Sequence, residues 1–367
     1  MLAPGTPLRL SHHRDAPVVI AGGSGVVGRH LVRLLTTAFP TQRILILGRD
    51  PVRAEAVTAL HPLARFVRFD LTEDQDLSLT ASALVTLLND PDDRLLIAAV
   101  DGGVPFVDVA RWTSRITTAM TRLASRQARA PVVLSSAWMG GLAPRVAVAL
   151  ARSLPEPLER VEIDVRYALA DAGGEDSIAY MDRMALPFEV TESGRRRAVF
   201  PLTDGKTVRI AGSATRVYRL DTPEQLTLPA ITGAHTVTTR LGFDSATMTR
   251  SLAALQRSGV LCALAGERWT PLRRSLLRPR GSGATASFRV MVHGATGSLA
   301  ICVADDQGQA HLTALGTLLS LRYALHPQTP AGLRFPEQDP VNETLLETID
   351  RSSHGVALRW EPDRRAA

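Results

Sequence analysis

The sequence predicts an α/β chain: a doubly wound parallel sheet in its N-terminal part, then a second α+β domain built mostly on antiparallel sheet. Three observations predict it. Short apolar runs alternate with amphipathic stretches from Pro17 to Ser135, the pattern of strands joined by helical crossovers. A glycine-rich turn, Gly22-Gly23-Ser24-Gly25-Val26-Val27-Gly28, separates the first apolar run from the first amphipathic stretch. Beyond about residue 145 strand-like runs follow one another with few crossovers, as in antiparallel sheets. A length of 367 residues suits two domains.

The first strand is Pro17 to Ala21, and the helix after it, Arg29 to Ala38, sets Leu31, Leu34 and Leu35 on one face. A second strand, Arg43 to Leu47, follows at crossover distance. Strand, glycine turn, helix and strand together turn a bare G-x-G-x-x-G into a dinucleotide fingerprint. Gly23 is expected to make the tight turn, Gly25 to admit the pyrophosphate to the backbone, and Gly28 to let the helix pack on the strand. Ser24, Val26 and Val27 complete the loop, whose helix N-terminus presents N–H groups to phosphate. The later strands are Arg65 to Phe69, ending in Asp70-Leu71 where adenine is expected, Ala83 to Leu88, ending at Asn89, Val104 to Val109, and Pro131 to Ser135.

The end of the second strand bears on cofactor choice. An NAD site needs an acidic residue there for the ribose 2′-hydroxyl, whereas this chain has Leu47-Gly48-Arg49-Asp50. Arg49 suits a 2′-phosphate, with Arg53 one turn on, so the expected cofactor is NADP (NADPH). Asp50 as a ribose acceptor for NAD is the alternative.

Composition narrows the rest. Hydrophobic residues at 45% and charged residues at 21% exclude a chain disordered from end to end. No apolar stretch is long enough for a membrane span, and Met1 to Pro17 lacks an apolar signal core. Cys262 and Cys302 stand far apart without a CxxC partner, which argues against a cysteine zinc site and fits a reducing compartment. A soluble, cytoplasmic protein without metal is therefore expected. Of 42 basic residues, Lys206 is the only lysine, and the net charge is just +6. The densest cluster, Arg195-Arg196-Arg197, has no interleaved aromatics, so nucleic acid is not the expected partner.

GSGVVG, then GRD, NDPDD, GVPFVDVARW, SSAWMGGLAP and the late GLRFPEQ form an ordered set. Together they resemble the saccharopine dehydrogenase-like oxidoreductases, which join an N-terminal Rossmann domain to a C-terminal α+β domain. Gly103-Val104-Pro105-Phe106-Val107-Asp108 is similar to a family strand motif, with Phe106 in place of its usual tyrosine. Ser136 opens a stretch that the resemblance places near the nicotinamide. It implies domains at 1–145 and 146–312 and a segment 313–367 returning to their junction, with a helix from Thr313 to Leu325. It also implies a homodimer and a small-molecule substrate, an amino-acid-derived imine reduced at its C=N bond or the matching secondary amine oxidised. Relatives include trans-acting enoyl reductases, which leaves C=C reduction open, as it leaves a nucleotide-binding sensor without turnover.

Hydride transfer asks little of side chains beyond positioning and a proton. No HExxH or GxSxG motif is present, so hydrolase and metalloenzyme readings lack support. Asp108 reads equally as a helix cap and as a catalytic contact. Tyr180 and Asp182, in a stretch that also holds Tyr167 and Arg183, are candidate substrate or proton contacts, and a half-buried amphipathic helix is the plainer reading. Arg111 is either a carboxylate clamp or a helix-surface ion pair. Lys206 reads as a surface turn residue, and His12 and His13 as solvated. Gly294-Ala295-Thr296-Gly297-Ser298 has strand on both sides, so it reads as a hairpin turn rather than a second phosphate loop. Residues 244–274 read as a packing helix with its tail, not as half of a winged helix.

Overall fold

The first unit is built on seven strands: β2 (Val18–Ala21), β3 (Ile44–Gly48), β4 (Ala64–Arg68), β6 (Ala83–Thr86), β7 (Phe106–Asp108), β8 (Pro131–Leu134) and β17 (Gly332–Arg334). They lie side by side, all parallel, in the order β17-β8-β7-β6-β2-β3-β4. The structure, a computed structural model, describes residues 8–73, 76–155, 157–169, 182–263, 269, 285–352 and 355–361. Strand β2 is buried along its whole length, as a strand covered on both faces must be. The helices α1 (Val26–Ala38), α2 (Pro51–Thr58), α3 (Arg94–Gly102) and α4 (Thr113–Ala124) alternate with these strands. The strand order reverses between β2 and β6, which makes the C-terminal ends of that pair the topological switch point.

Six strands of this sheet were expected, and the six are present within a few residues. The seventh, β17, extends the β8 edge from a segment far down the chain. A second parallel pair, β1 (Arg9–His12) with β5 (Ser78–Ala81), stands outside the expected strands; His12 at its end and His13 after it are exposed. The left-handed residue of the glycine turn is Gly22 (φ 79°), one position before the Gly23 expected there. Gly28 acts as expected: a Cβ on it would fall well inside van der Waals contact with the Gly23 carbonyl.

The second unit centres on seven further strands, β9 (Leu158–Tyr167), β12 (Lys206–Ile210), β13 (Ser213–Arg219), β14 (Thr236–Phe243), β15 (Ala286–Gly294), β16 (Ser298–Asp305) and β18 (Val356–Glu361). They form one mixed sheet in the order β12-β13-β14-β9-β15-β16-β18. Only β14 and β9 pair in parallel. A separate hairpin joins β10 (Phe188–Glu192) to β11 (Arg195–Val199); the Arg195-Arg196-Arg197 cluster lies exposed on it. The wholly buried helix α5 (Leu142–Ala151) packs against β15 and β9. Alternation along β9 puts Val161, Ile163 and Val165 on one face and Glu162 and Asp164 on the other, and all five are buried. Strand β12 meets β9 and β15, and its Lys206 reaches Glu162 at 3.1 Å and Asp164 at 2.9 Å. Arg240 joins Glu162 at 3.3 Å. Lys206 is thus one cation of an ion-pair network around two buried carboxylates rather than a surface turn residue. Residues 294–298 form the β15–β16 hairpin turn, closed by Gly294 N to Gly297 O at 2.9 Å. The helix Ala246–Arg257 packs on β13 and β14, as a packing helix does.

The unit boundaries differ from those expected. The first unit comprises 1–136 and 313–336, and the second 137–312 and 337–367. Residues 137–145 pass to the second unit because α5 packs on its sheet. The last segment divides because β17 joins the parallel sheet while β18 pairs with β16. A helix covers 313–325 but begins earlier, at Gln309.

Gly28 gives the fold a direct test. In an open helix, Gly→Ala gains about 1 kcal/mol. Here the added methyl meets backbone that cannot turn aside, so Gly28→Ala is expected to destabilise the protein by about 1–3 kcal/mol, read by chemical denaturation. An unchanged or stabilised variant contradicts the close approach of α1 to the turn.

Candidate dinucleotide site

Parallel strands bring their C-terminal ends to one edge, and that edge collects the residues expected at a nucleotide. Gly22 follows β2 and donates its N–H to Leu47 O of β3 at 2.9 Å. Ser24 and Gly25 lead into α1, with Val26 and Val27 opening it and Gly25 at its N-cap. That cap has no side-chain hydrogen bond, and the first turn carries no acidic residue. First-turn amides have no acceptor within a helix, so this N-terminus keeps its positive end for an anion. A Cβ at Gly48 would stand 3.0 Å from Ser24 Oγ. Glycine at the position of an NAD-type carboxylate therefore leaves room for the serine hydroxyl.

The neighbouring polar residues are strongly committed. Asp50 caps α2, its Oδ1 accepting from Val52 N at 2.9 Å and Arg53 N at 3.2 Å, while its Oδ2 lies 3.4 Å from Arg53 Nε. Arg49 is exposed. Asp70 accepts from Thr72 N and Oγ1 at 2.9 and 2.8 Å. Those bonds, with help from the charge of Arg49, hold its carboxyl below the usual carboxylate range. Leu71 offers its carbonyl to Arg94 Nη1 at 2.5 Å. Ser136 Oγ donates to Asp108 O at 3.0 Å.

Asp108 itself is buried, with Ala110 N on Oδ1 at 2.9 Å and Arg111 Nε on Oδ2 at 2.6 Å. The chain is not helical until Thr113, so Asp108 closes a turn and an ion pair and is not a helix cap. Arg111, caught between Asp108 and Asp93, is an internal counter-ion rather than a substrate clamp. Of the other candidates, Tyr180 lies outside the described residues, as does the side chain of Asp182, whose backbone opens the 3-10 turn Asp182–Ala185. Arg183 pairs with Asp221 at 3.8 Å, and Tyr167 stacks edge-on against Phe243.

Sequence reading missed Asp93. It is fully buried at φ 58°, pairs with Arg111 and with Arg115 Nη2 at 2.6 Å through Oδ1, and faces Arg122 Nε at 3.1 Å through Oδ2. The signal was the dense NDPDD run, which shows polarity without showing which carboxylate turns inward. Also missed were two buried acids of the second unit. Glu224 accepts from Trp138 N at 3.2 Å and Thr239 Oγ1 at 2.8 Å, so it grips the 137–141 loop, where Met139 adopts φ 57°. Glu337 accepts from Thr227 Oγ1 through one oxygen, and its other oxygen is buried with no partner among the described residues. Burial, and then the nearby Glu224, push the Glu337 carboxyl up to about 7 against the opposing pull of Arg145.

No family model matches this sequence, and no curated protein does. Solved structures do. The apo saccharopine dehydrogenase (L-Glu forming) of Saccharomyces cerevisiae superposes with a TM-score of 0.64 at 11% identity, over 95% of this chain and 100% of that one. An amine dehydrogenase from Mycobacterium smegmatis aligns at a TM-score of 0.47 and 11% identity, over 90% of this chain and 97% of that one. The first likeness gives this protein the saccharopine dehydrogenase-like fold.

Glu337 makes stability depend on pH. Its carboxyl keeps a proton in the folded state to about pH 7, whereas the unfolded chain releases it near the ordinary value of about 4.3. Between those values the folded state binds more protons, so stability falls as pH rises and levels off above 7. Each tenfold difference in proton affinity between the two states is worth about 1.36 kcal/mol, so the loss is on the order of 4 kcal/mol. Glu337→Gln is expected to flatten that slope and to be the more stable form at pH 8. Urea titrations of both proteins at pH 5 and pH 8 check it, and parallel pH dependences contradict it.

Proposed function

We propose that this protein is a nicotinamide-dinucleotide oxidoreductase using NADP(H), which reduces an amino-acid-derived imine or oxidises the matching secondary amine. The observation that carries the reading is the glycine turn at the β2–β6 switch point, backed by an uncapped α1 N-terminus. Residues 22–28 fit a pyrophosphate, because the turn is left-handed at Gly22 and Gly28 allows α1 to begin against it. When bound, the dihydronicotinamide supplies the hydride. The chain orients it and excludes water from it. The preference for NADP(H) rests on Gly48, which supplies no carboxylate for a 2′-hydroxyl, and on Arg49 beside it. The choice of a C=N bond is supported by the fold shared with a protein named for saccharopine and by the ordered motifs from GSGVVG to GLRFPEQ.

One observation favours a second reading, a nucleotide-binding protein without turnover: both oxygens of Asp108 are already engaged. A screen of NADPH oxidation against paired amines and keto acids separates the two. Turnover of any pair supports the enzyme, and nucleotide binding without turnover across the screen supports the second reading.

Arg49→Ala tests the cofactor. If Arg49 holds a 2′-phosphate, the variant is expected to bind NADPH more weakly by about 1.5–3 kcal/mol, roughly ten- to a hundredfold. NADH affinity should stay the same, since its 2′-hydroxyl carries no charge. Arg53 is held by Asp50, which limits rescue. Fluorescence titration of both nucleotides is the measurement, and a wild type that prefers NADH overturns the assignment.

A further inference from the structure

Asn89 follows β6 at the switch-point edge and is half-buried. Arg115 Nη1 donates to its Oδ1 at 2.6 Å. An arginine carries donors only, so the amide atom facing it must be the oxygen. Flipping the amide would set N–H against N–H. Its orientation is therefore fixed, and Nδ2, the amide's donor, has no partner among the described residues.

Arg115 is itself immobilised. Its Nη2 donates to Asp93 Oδ1 at 2.6 Å and to the main-chain oxygen of Asp90, and its guanidinium lies 5.7 Å from the centre of the Trp112 ring. Asp93 is held in turn by Arg111 and Arg122. A chain of charge-assisted bonds thus runs from a buried carboxylate to one half-buried amide and stops there. An arginine needed only to neutralise Asp93 has no use for Asn89. The bond to Oδ1 has a definite consequence, which is that Asn89 meets any ligand as a donor.

We infer that Arg115, anchored by Asp93, is a positioning residue that orients Asn89 so that its Nδ2 donates to an acceptor oxygen on the ribose–phosphate chain common to NADPH and NADH. This rests on the dinucleotide reading of the site. It concerns a feature that both nucleotides share, unlike the 2′-phosphate assigned to Arg49.

The decisive variant is Asn89→Asp in the full-length chain. A carboxylate pairs with Arg115 at least as well as an amide does, so the melting temperature should hold or rise. The substitution also replaces the donor by a charged acceptor, and the Kd for NADPH and for NADH should each rise at least tenfold. Asn89→Ala should raise both Kd values about fivefold. Arg115→Met should weaken binding to a similar degree in the wild-type background and add nothing in the Asn89→Ala background, an interdependence that general damage to the fold would not produce. If Arg115→Met does not fold, the two Asn89 variants decide alone. Wild-type affinity in Asn89→Asp, or equal losses from Arg115→Met with and without Asn89, overturns the inference while leaving the dinucleotide reading in place. A wild type that binds neither nucleotide overturns both.

Discussion

Three guanidinium groups converge on the carboxylate of Asp93, and the loops at the C-terminal edge of the parallel sheet after β6 and β7 are organised around that convergence. Asp93 stands between the end of β6 and the start of α3, Arg111 follows β7, and Arg115 and Arg122 ride on α4. One buried anion therefore ties together the loops after two adjacent strands and the helix beyond them. A buried ion cluster adds little net stability over an apolar core, yet loss of one member leaves an uncompensated charge and costs several kcal/mol. Such a cluster acts chiefly by fixing geometry. Here it sets the direction of Asn89 and of the turn that Asp108 closes.

The turn after the neighbouring strand β2 depends on steric closeness instead of charge. The left-handed conformation at Gly22 and the contact of Gly28 with Gly23 let α1 start directly against the end of β2. Gly48 does the same for Ser24. Where the backbone must come this near to a ligand or another strand, the missing side chain is the functional group. The C-terminal edge of the sheet is accordingly rich in glycine after β2 and β3 and in paired charges after β6 and β7.

The second unit uses charge differently. Glu162 and Asp164 lie on the face of β9 opposite Val161, Ile163 and Val165, and Lys206, Arg240 and Arg289 meet them there. His293, Lys206 and Arg240 hold Glu162 far below its ordinary range despite burial, whereas the deeper Asp164 is pushed up by desolvation. Both faces of the central strand are buried, one dry and one ionic, so its alternation of apolar and charged residues resembles that of a half-exposed strand.

Local pattern was enough for much of this protein. The alternating strands, the glycine turn, the Gly28 contact and the 294–298 hairpin were legible, because each depends on residues within a few positions of one another. The hairpin in particular followed from strand on both sides of a short glycine turn. Strand β14 was not legible, because buried threonines and an arginine break its apolar run. Strand β17 was not, because three residues become a strand only through a sheet edge built some two hundred positions earlier. The roles of Asp108 and Arg111 were likewise open in the sequence, where a carboxylate after a strand reads as cap or catalyst alike. By itself the sequence determined the fold class and the position of the glycine turn on which the nucleotide proposal rests, since periodicity and glycine spacing are local properties. Only the tertiary structure decided which charges are partners. That choice depends on burial and on distances between segments far apart in the chain, neither of which a linear pattern contains.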